Sequence, residues 1–116
     1  MGHRILIVED EPLIAMMIED FLVELGHQHV GTADTVAEAL AYVGSGVDAA
    51  ILDVNLRGGE KSWPIADALS DAGRPFLFAS GGDEGVIPER HRGRPILVKP
   101  FTMEAIARAL DHLQAA

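Results

Sequence analysis

The chain has 116 residues, a length typical of one domain that can bury a core without added cross-links. It contains no cysteine, which excludes disulfides, a thiolate nucleophile and zinc-thiolate sites. The formal net charge is -9, from 18 acidic against 9 basic residues, and this disfavours direct binding to nucleic acid or to an anionic membrane. The apolar run near the start is too short for a signal peptide or a transmembrane helix, so we expect a cytoplasmic protein.

The first half of the chain alternates short apolar runs with apolar residues at helical spacing. Pro12 suits the first position of a helix, and Gly26 suits the position after its end. The predicted elements are a buried strand at 4–8, a helix at 12–25, a weaker strand at 29–33, a helix at 36–43 with Leu40 and Val43 facing inward, and a strongly apolar strand at 49–53.

The second half begins with a polar, glycine-bearing loop at 55–62. A helix at 64–72, strands at 75–79 and 96–98, and a last helix capped by Thr102 are predicted to follow. That helix carries on one face Met103, Ile106, Leu110 and Leu113. Between the last two strands, residues 81–94 are rich in glycine and arginine, and they predict at most a short helix near 84–90. Arg90, Arg92 and Arg94 are expected to lie in a solvated loop.

Apolar strands joined by helices indicate an α/β fold with a doubly wound, five-stranded parallel sheet that is covered on both faces. Right-handed crossovers leave few topologies for such a sheet. Its ligands bind beyond the carboxyl ends of the strands, at the point where the strand order reverses. In the order 2-1-3-4-5, the first and third strands are neighbours at that point.

Polar side chains stand at the carboxyl end of four predicted strands: Glu9, Asp10 and Glu11 after the first, Asp53 after the third, Ser80 after the fourth and Lys99 after the fifth. Carboxylates this close repel each other unless a hard cation such as Mg2+ neutralises them. A carboxylate can also act as a nucleophile and form an aspartyl-phosphate, whose oxygens need a cation and a hydroxyl donor. Asp10, Lys99 and Ser80 would supply these groups.

Each residue taken alone has a simpler interpretation. The acids at 9–11 could favour the dipole of the following helix, and Asp53 could cap a loop. Ser80 alone is more often a turn residue, and Lys99 alone is more often a solvated strand end. The coincidence of all four groups at successive strand ends is far more specific than any one of them. The five histidines have no obvious metal-ligand context.

The chain resembles the receiver domains of bacterial two-component response regulators over essentially its whole length. The matching segments are Ile-Leu-Ile-Val-Glu-Asp-Glu at 5–11, Ile-Leu-Asp-Val-Asn-Leu at 51–56, Ser-Gly at 80–81 and Lys-Pro-Phe at 99–101. The resemblance implies the CheY-like, flavodoxin-like strand order 2-1-3-4-5. It also implies a Mg2+ cofactor and a phosphoryl group received from a histidine kinase or a histidine phosphotransfer protein.

The resemblance also implies residue roles. Asp53 matches the phosphoacceptor, and Glu9 and Asp10 match the acidic pair that binds Mg2+ together with Asp53 and the backbone carbonyl of Asn55. Ser80 matches the conformationally responsive Thr or Ser, and Lys99 matches the phosphoryl-binding lysine. The peptide bond between Lys99 and Pro100 is expected to be cis, in a tight turn.

Two departures from the family pattern concern activation. The family often has an aromatic residue three positions before the lysine, where this chain has Ile96. The segment Pro-Phe-Leu-Phe-Ala-Ser-Gly-Gly at 75–82 resembles a subgroup of mostly single-domain alphaproteobacterial receivers with Pro-Phe-x-Phe-Ala-Thr/Ser-Gly. That subgroup tends to have a short or irregular fourth helix. We therefore expect the conformational change around Ser80 and residues 81–94, a segment mobile without phosphate and more ordered with it.

The leading hypothesis is a stand-alone receiver over residues 1–116, a signalling phosphoacceptor and not an enzyme, monomeric at least when unphosphorylated. The alternative is a receiver excised from a larger response regulator or hybrid histidine kinase. An aspartate-nucleophile phosphatase would need an acid two residues after the nucleophile, where Asn55 stands, and it would need a capping insertion. The intact acidic set, with Asp53 and Lys99, argues against a degenerate receiver that only binds protein.

Overall fold

A computed structural model describes the backbone of residues 3–81, 87–99 and 102–115, and the side chains of the same ranges up to 111. Strands and helices alternate along it. They are β1 Arg4–Val8, α1 Pro12–Glu24, β2 Gln28–Ala33, α2 Val36–Ser45, β3 Ala49–Asp53, α3 Trp63–Asp71, β4 Phe76–Ser80, β5 Ile96–Val98 and α4 Met103–Ala115, with 3-10 turns at Arg57–Gly59 and Glu89–His91.

The five strands form one parallel sheet in the order β2-β1-β3-β4-β5, which confirms the predicted fold. Side chains alternate across it, as the strand geometry requires. Ile5 and Ile7 of β1 join a buried cluster with α1 and α4 on one face. Leu6 and Val8 join a second cluster with α2 and α3 on the other face. The order places the carboxyl ends of β1 and β3 side by side at the switch point.

The helix ends follow the sequence signals. Pro12 begins α1, and Gly26 adopts a φ of +83° just after it, a conformation that favours glycine. The side chain of Thr35 caps α2 by accepting a hydrogen bond from the backbone N–H of Glu38, at 3.2 Å. Thr102 does the same for Ala105, also at 3.2 Å, as predicted. None of the helices in the described ranges is both long and apolar enough to span a membrane.

The predicted inward face of α2 was wrong in one position. Leu40 is 38% exposed, whereas the neighbouring Ala39 is fully buried. The buried stripe is formed instead by Val36, Ala39 and Val43, which follow the i, i+3, i+7 spacing of one helix face. Leu40 directly follows Ala39, so its side chain points about 100° of helix rotation away from that of Ala39. Helical spacing alone did not decide between two adjacent apolar residues.

The sheet is not covered on both faces at β5, so that prediction was wrong for one edge. Ile96 and Val98 are 48% and 62% exposed, while Leu97 between them is buried. The reason lies in the connection before β5. Its described part, residues 87–95, contains only the 3-10 turn Glu89–His91 and no longer helix that would pack over this side of the strand.

Residues 87–94 are only partly solvated, because some of their side chains pack against the rest of the domain. His91 is buried between α3 and the sheet, with its ring edge-on to Phe76 and Phe78. Arg94 stacks over the ring of Phe76 at 4.3 Å. Arg90 forms two hydrogen bonds with Asp67 of α3, at 2.7 and 3.0 Å. The expectation of a solvated loop therefore holds for Arg92 and for Arg90, which is exposed although it pairs with Asp67, and it was wrong for Arg94, which is partly buried on Phe76.

Candidate functional site

The carboxyl ends of four strands meet at one edge of the sheet. Glu9 directly follows β1, Asp53 closes β3, Ser80 closes β4 and Lys99 directly follows β5. The register of the strand pairs fixes where these residues lie along the sheet. Asp53 lies opposite Ala79, and Ser80 lies opposite Val98. The backbone N–H of Lys99 extends this last pairing by donating to the carbonyl of Ser80 at 2.8 Å. The structure thus brings together the residues that the sequence placed at successive strand ends.

Three carboxylates form a tight group at this edge. One oxygen each of Glu9, Asp10 and Asp53 lies within 4.8 Å of the others. Lys99 Nζ lies 2.9 Å from Glu9 Oε1 and donates a hydrogen bond to Asp53 Oδ2 at 3.1 Å. Three carboxylates therefore share the ammonium of Lys99, which contacts two of them. A further positive charge at this edge would be favourable.

Burial increases the energetic cost of the excess negative charge in this group. Glu9 and Asp53 are only 3% and 7% exposed. Burial and the hydrogen bond with Asp53 raise the pKa of Glu9 to about 8, although Lys99 opposes the shift. Burial acts against the charged form of Lys99, but the hydrogen bond with Glu9 and the charges of Asp53 and Glu9 outweigh it and raise the pKa of Lys99. The pKa of Glu9 is raised mainly by burial and then by Asp53, whereas the pKa of Lys99 is raised by the two carboxylates that it contacts.

The donor set fits a hard divalent cation. Glu9 Oε2 accepts a hydrogen bond from the backbone N–H of Glu11 at 3.2 Å. Glu9 Oε1 is buried against Lys99 Nζ, and no other donor among the described residues reaches it. Carboxylate oxygens are the ligands that Mg2+ prefers, and it takes few of them because it retains water. The acidic group could hold such an ion.

Asn55 lies on the loop after β3, opposite Lys61 in an antiparallel bridge. The bridge hydrogen bonds run through the neighbouring residues: Ser62 N–H donates to Val54 at 3.0 Å, and Leu56 N–H donates to Glu60 at 2.8 Å. In such a pair the two facing residues direct their own N–H and C=O groups away from each other. The carbonyl of Asn55 is therefore not consumed by the bridge, so it can serve as a ligand.

Three features near the site bear on other predictions. Ser80 is buried, with 6% exposure. Ile96, three residues before Lys99, is a half-exposed aliphatic side chain with no ring that could rotate. The predicted cis bond between Lys99 and Pro100 lies outside the described residues and stays a prediction. Residues 82–86 of the segment 81–94 also lie outside them, so the ordering of that part on phosphorylation stays a prediction as well.

Sequence reasoning missed two sets of side-chain contacts, one in the loop after Asp53 and one between α3 and the turn before β5. Lys61 donates a side-chain hydrogen bond to Asn55 across the loop. Asp67 binds both Arg90 and His91, the latter at 2.7 Å. No local pattern in the sequence pairs a loop residue with a partner that lies six or more than twenty positions away. The one available signal was chemical, because each pair joins a basic residue to an acceptor.

We compared the chain with known proteins. No family model matches it. The solution structure of SdrG from Sphingomonas melonis Fr1 is 60% identical, superposes with a TM-score of 0.89 and is covered over 97% of both chains.

This match decides the family. The chain belongs to the CheY-like receiver domains of response regulators. It is a signalling module similar to the single-domain receiver SdrG.

Other relatives agree with this assignment. The BeF3-activated conformation of SdrG from Pseudomonas melonis Fr1 is 62% identical, with a TM-score of 0.80 over 95% of this chain and 94% of that one. Chemotaxis protein CheY from Bacillus subtilis is 26% identical over 96% of this chain and 97% of its own length. The regulator PhyR from Methylorubrum extorquens is 32% identical, and the match spans all of this chain but only 46% of PhyR.

Proposed function

We propose that this receiver acts on its own, as one domain over residues 1–116, and accepts a phosphoryl group on Asp53 from a phosphohistidine. The single observation that carries the proposal is the position of Asp53. It closes β3 inside the carboxylate group, 7% exposed, with one oxygen 3.1 Å from Lys99 Nζ. A nucleophilic carboxylate there has a cation beside it and further acids around it.

In the transfer, a carboxylate oxygen of Asp53 attacks phosphorus while the bond between phosphorus and the histidine nitrogen breaks. The electron pair of that bond stays with the histidine, and Asp53 becomes an acyl phosphate. Lys99 moves from pairing with the Asp53 carboxylate to pairing with the phosphoryl oxygens. Ser80, at the end of the adjacent strand, donates its hydroxyl hydrogen to them.

Glu9, Asp10, Asp53 and the carbonyl of Asn55 would hold Mg2+, which supplies positive charge to the phosphoryl oxygens when it is bound. The raised pKa of Glu9 supports this assignment, because burial and the neighbouring Asp53 disfavour the charged form of Glu9, and a bound cation would favour it. The hard oxygen donors of the group support it as well.

The partner we propose is a histidine kinase or a histidine phosphotransfer protein, the class with which receiver domains work. An exposed apolar stripe on α1 supports a protein partner next to the site. Leu13, Met16 and Val23 are 80%, 57% and 66% exposed, and their spacing of three and seven residues places them on one helix face. The stripe begins four residues after Glu9, at the rim of the carboxylate group.

A second candidate is a receiver that works inside a longer regulator. The match to PhyR favours it, since this chain corresponds to less than half of that protein. The chemistry at Asp53 would be the same in both cases, and the full-length gene would distinguish them.

The test is phosphorylation by a small-molecule phosphodonor such as acetyl phosphate, with and without Mg2+. Intact mass should show one added phosphoryl group on the wild-type protein with Mg2+, and none on Asp53→Asn. Asp48→Asn, which removes a carboxylate at the opposite end of β3, is the matched control and should label normally. Equal labelling of Asp53→Asn would refute the assignment of the phosphoacceptor.

A further inference from the structure

Helix α1 has an apolar face that none of the described residues covers. Leu13, Met16 and Val23 are largely exposed on it, whereas the neighbouring face of the helix packs against the buried cluster that includes α4. Leu13 and Val23 are ten residues apart, so the exposed face extends roughly 15 Å along the helix. An exposed apolar row of this length is typical of a surface that binds another protein.

The apolar face leads into a pocket of about 320 Å3 between α1 and the connection from β2 to α2. Pro12 and Met16 of α1 contribute apolar surface to its lining. Arg57 is the one basic side chain among the described residues that line it, and its guanidinium already pairs with Asp34 at 2.5 Å. The carboxylates in the lining are those of Glu9, Asp10, Glu19, Asp34 and Glu38. The pocket therefore combines apolar surface with an excess of negative charge.

Neutral donors hold two of these carboxylates in place. Thr32 donates its hydroxyl hydrogen to Glu19 Oε2 at 3.2 Å. The backbone N–H of Asp34 donates to Glu38 Oε1 at 3.0 Å. A neutral donor orients a carboxylate without cancelling its charge. A cationic side chain that enters the pocket therefore meets acceptors that are already oriented, and this lowers the cost of ordering them on binding.

We propose that this pocket takes an arginine side chain from a helix of the phosphodonor protein, while the apolar face of α1 packs against the same helix. The inference rests on the proposed function, which names that partner. An arginine has an aliphatic stem that suits Pro12 and Met16, and a guanidinium whose donors suit carboxylates. Glu9 and Asp10 belong both to the pocket and to the carboxylate group around Asp53, so a partner bound here lies next to the phosphoacceptor.

The first probe is N-acetyl-arginine amide, with N-acetyl-citrulline amide as its uncharged counterpart of nearly the same shape. Each is titrated into isotope-labelled protein with Mg2+ saturating, and the backbone amide shifts are followed by NMR. The arginine derivative should shift the amides of residues 13–19 and 32–38, and the citrulline derivative should not.

A matched pair of variants tests the charge of the pocket. Glu19→Gln keeps an acceptor for Thr32 but removes the negative charge, so it should weaken binding of the arginine derivative about twofold to fivefold, as expected for a partly exposed ion pair. Glu24→Gln makes the same change at the exposed end of α1, outside the pocket, and should bind as the wild type does.

The second probe is a helical peptide with a row of leucines and one arginine, compared with the same peptide carrying glutamine in place of the arginine. The arginine peptide should bind about tenfold more tightly than N-acetyl-arginine amide, because its leucines bury apolar surface on α1. It should also bind more tightly than the glutamine peptide. Leu13→Ser should weaken binding of the arginine peptide but not of the arginine derivative, since Leu13 lies outside the pocket lining.

Several results would overturn this inference while the proposed function stands. Equal binding of the arginine and citrulline derivatives, or shifts spread over the whole acidic surface, would show that the pocket does not recognise a guanidinium. Binding that is lost when Mg2+ is present would show that the guanidinium only replaces the metal ion. A peptide that binds no more tightly than the arginine derivative would make the pocket a site for small cations. The proposed function fails separately, if Asp53 takes up no phosphoryl group although the peptide binds.

Discussion

Glu9 carries the most disfavoured charge among the residues of the site. Burial and its hydrogen bond with Asp53 raise its pKa from 4.5 to about 8, against the opposing effect of Lys99. Between these two values the folded protein retains a proton that the unfolded chain releases. Because the folded state binds more protons over this range, its stability falls as the pH rises from about 4.5 to about 8.

We therefore expect the free energy of unfolding, measured by urea with EDTA present, to decrease between pH 5 and pH 8. The decrease attributable to Glu9 should be on the order of 3 kcal/mol, from a shift of this size at 1.36 kcal/mol per pKa unit and an allowance for its coupling to Asp53. Glu9→Gln should flatten this dependence, whereas Glu24→Gln at the exposed end of α1 should not. An equally steep dependence in Glu9→Gln would show that another group is responsible.

Among the elements, the connection between β4 and β5 is the most unusual. In its described part a single 3-10 turn, Glu89–His91, stands where a helix would cover β5. His91 nevertheless anchors it, with 2% exposure and Nε2 2.7 Å from Asp67 of α3. The prediction that residues 81–94 become ordered on phosphorylation rested on few buried contacts. That reason does not hold for 89–94, so we expect this part to be ordered already without phosphate.

Removing the anchor should destabilise the fold. His91→Ala deletes a buried ring that packs on Phe76 and Phe78, and it should lower the free energy of unfolding by about 2–3 kcal/mol. Asp67→Asn weakens the bonds to Arg90 and His91 at a partly exposed carboxylate, and it should cost about 1 kcal/mol.

Urea unfolding at pH 7 measures both changes. Asp71→Asn, an exposed acid at the end of the same helix, serves as the control and should change little. If His91→Ala were no more destabilised than this control, the turn would not be anchored through His91.

At the scale of the whole molecule, the net charge of -9 and the carboxylate group make the folded state sensitive to divalent cations. An ion that binds only the folded protein stabilises it by mass action, by about 2.7 kcal/mol at a hundredfold excess over the dissociation constant. The gain should grow with pH as Glu9 ionises, opposite to the trend expected with EDTA.

We expect Mg2+ to raise the free energy of unfolding by this amount and Asp10→Asn to weaken Mg2+ binding by removing one ligand charge. Calorimetric titration measures the affinity, and urea unfolding measures the stability. Asp20→Asn makes the same charge change on the exposed face of α1, roughly 12 Å along the helix from its start, and should bind Mg2+ as the wild type does. Equal affinities for Asp10→Asn and Asp20→Asn would mean that Asp10 only favours the beginning of α1.

Most of the fold and of the candidate site could be predicted, because both depend on local patterns. The inner strand β1 contains a continuous apolar run, and the helices carry clear signals such as Pro12 and Thr102 at their starts. The site residues stand at strand ends, so a parallel sheet in the expected order necessarily brings Glu9, Asp53 and Lys99 to the same edge.

By itself the sequence determined the alternation of strands and helices and the charged groups that follow the strands, because short-range patterns set both. The strand order was what the resemblance to receiver domains implied, and the structure confirmed it. Only the tertiary structure decided which apolar side chains are covered and which loop residues pair. Leu40 and Ala39 are both apolar, but the orientation in which α2 packs on the domain buries Ala39 and leaves Leu40 exposed. His91 with Asp67, and Lys61 with Asn55, meet because separate segments fold against each other. Such contacts depend on distances that exist only once the whole chain has folded, so no local pattern encodes them.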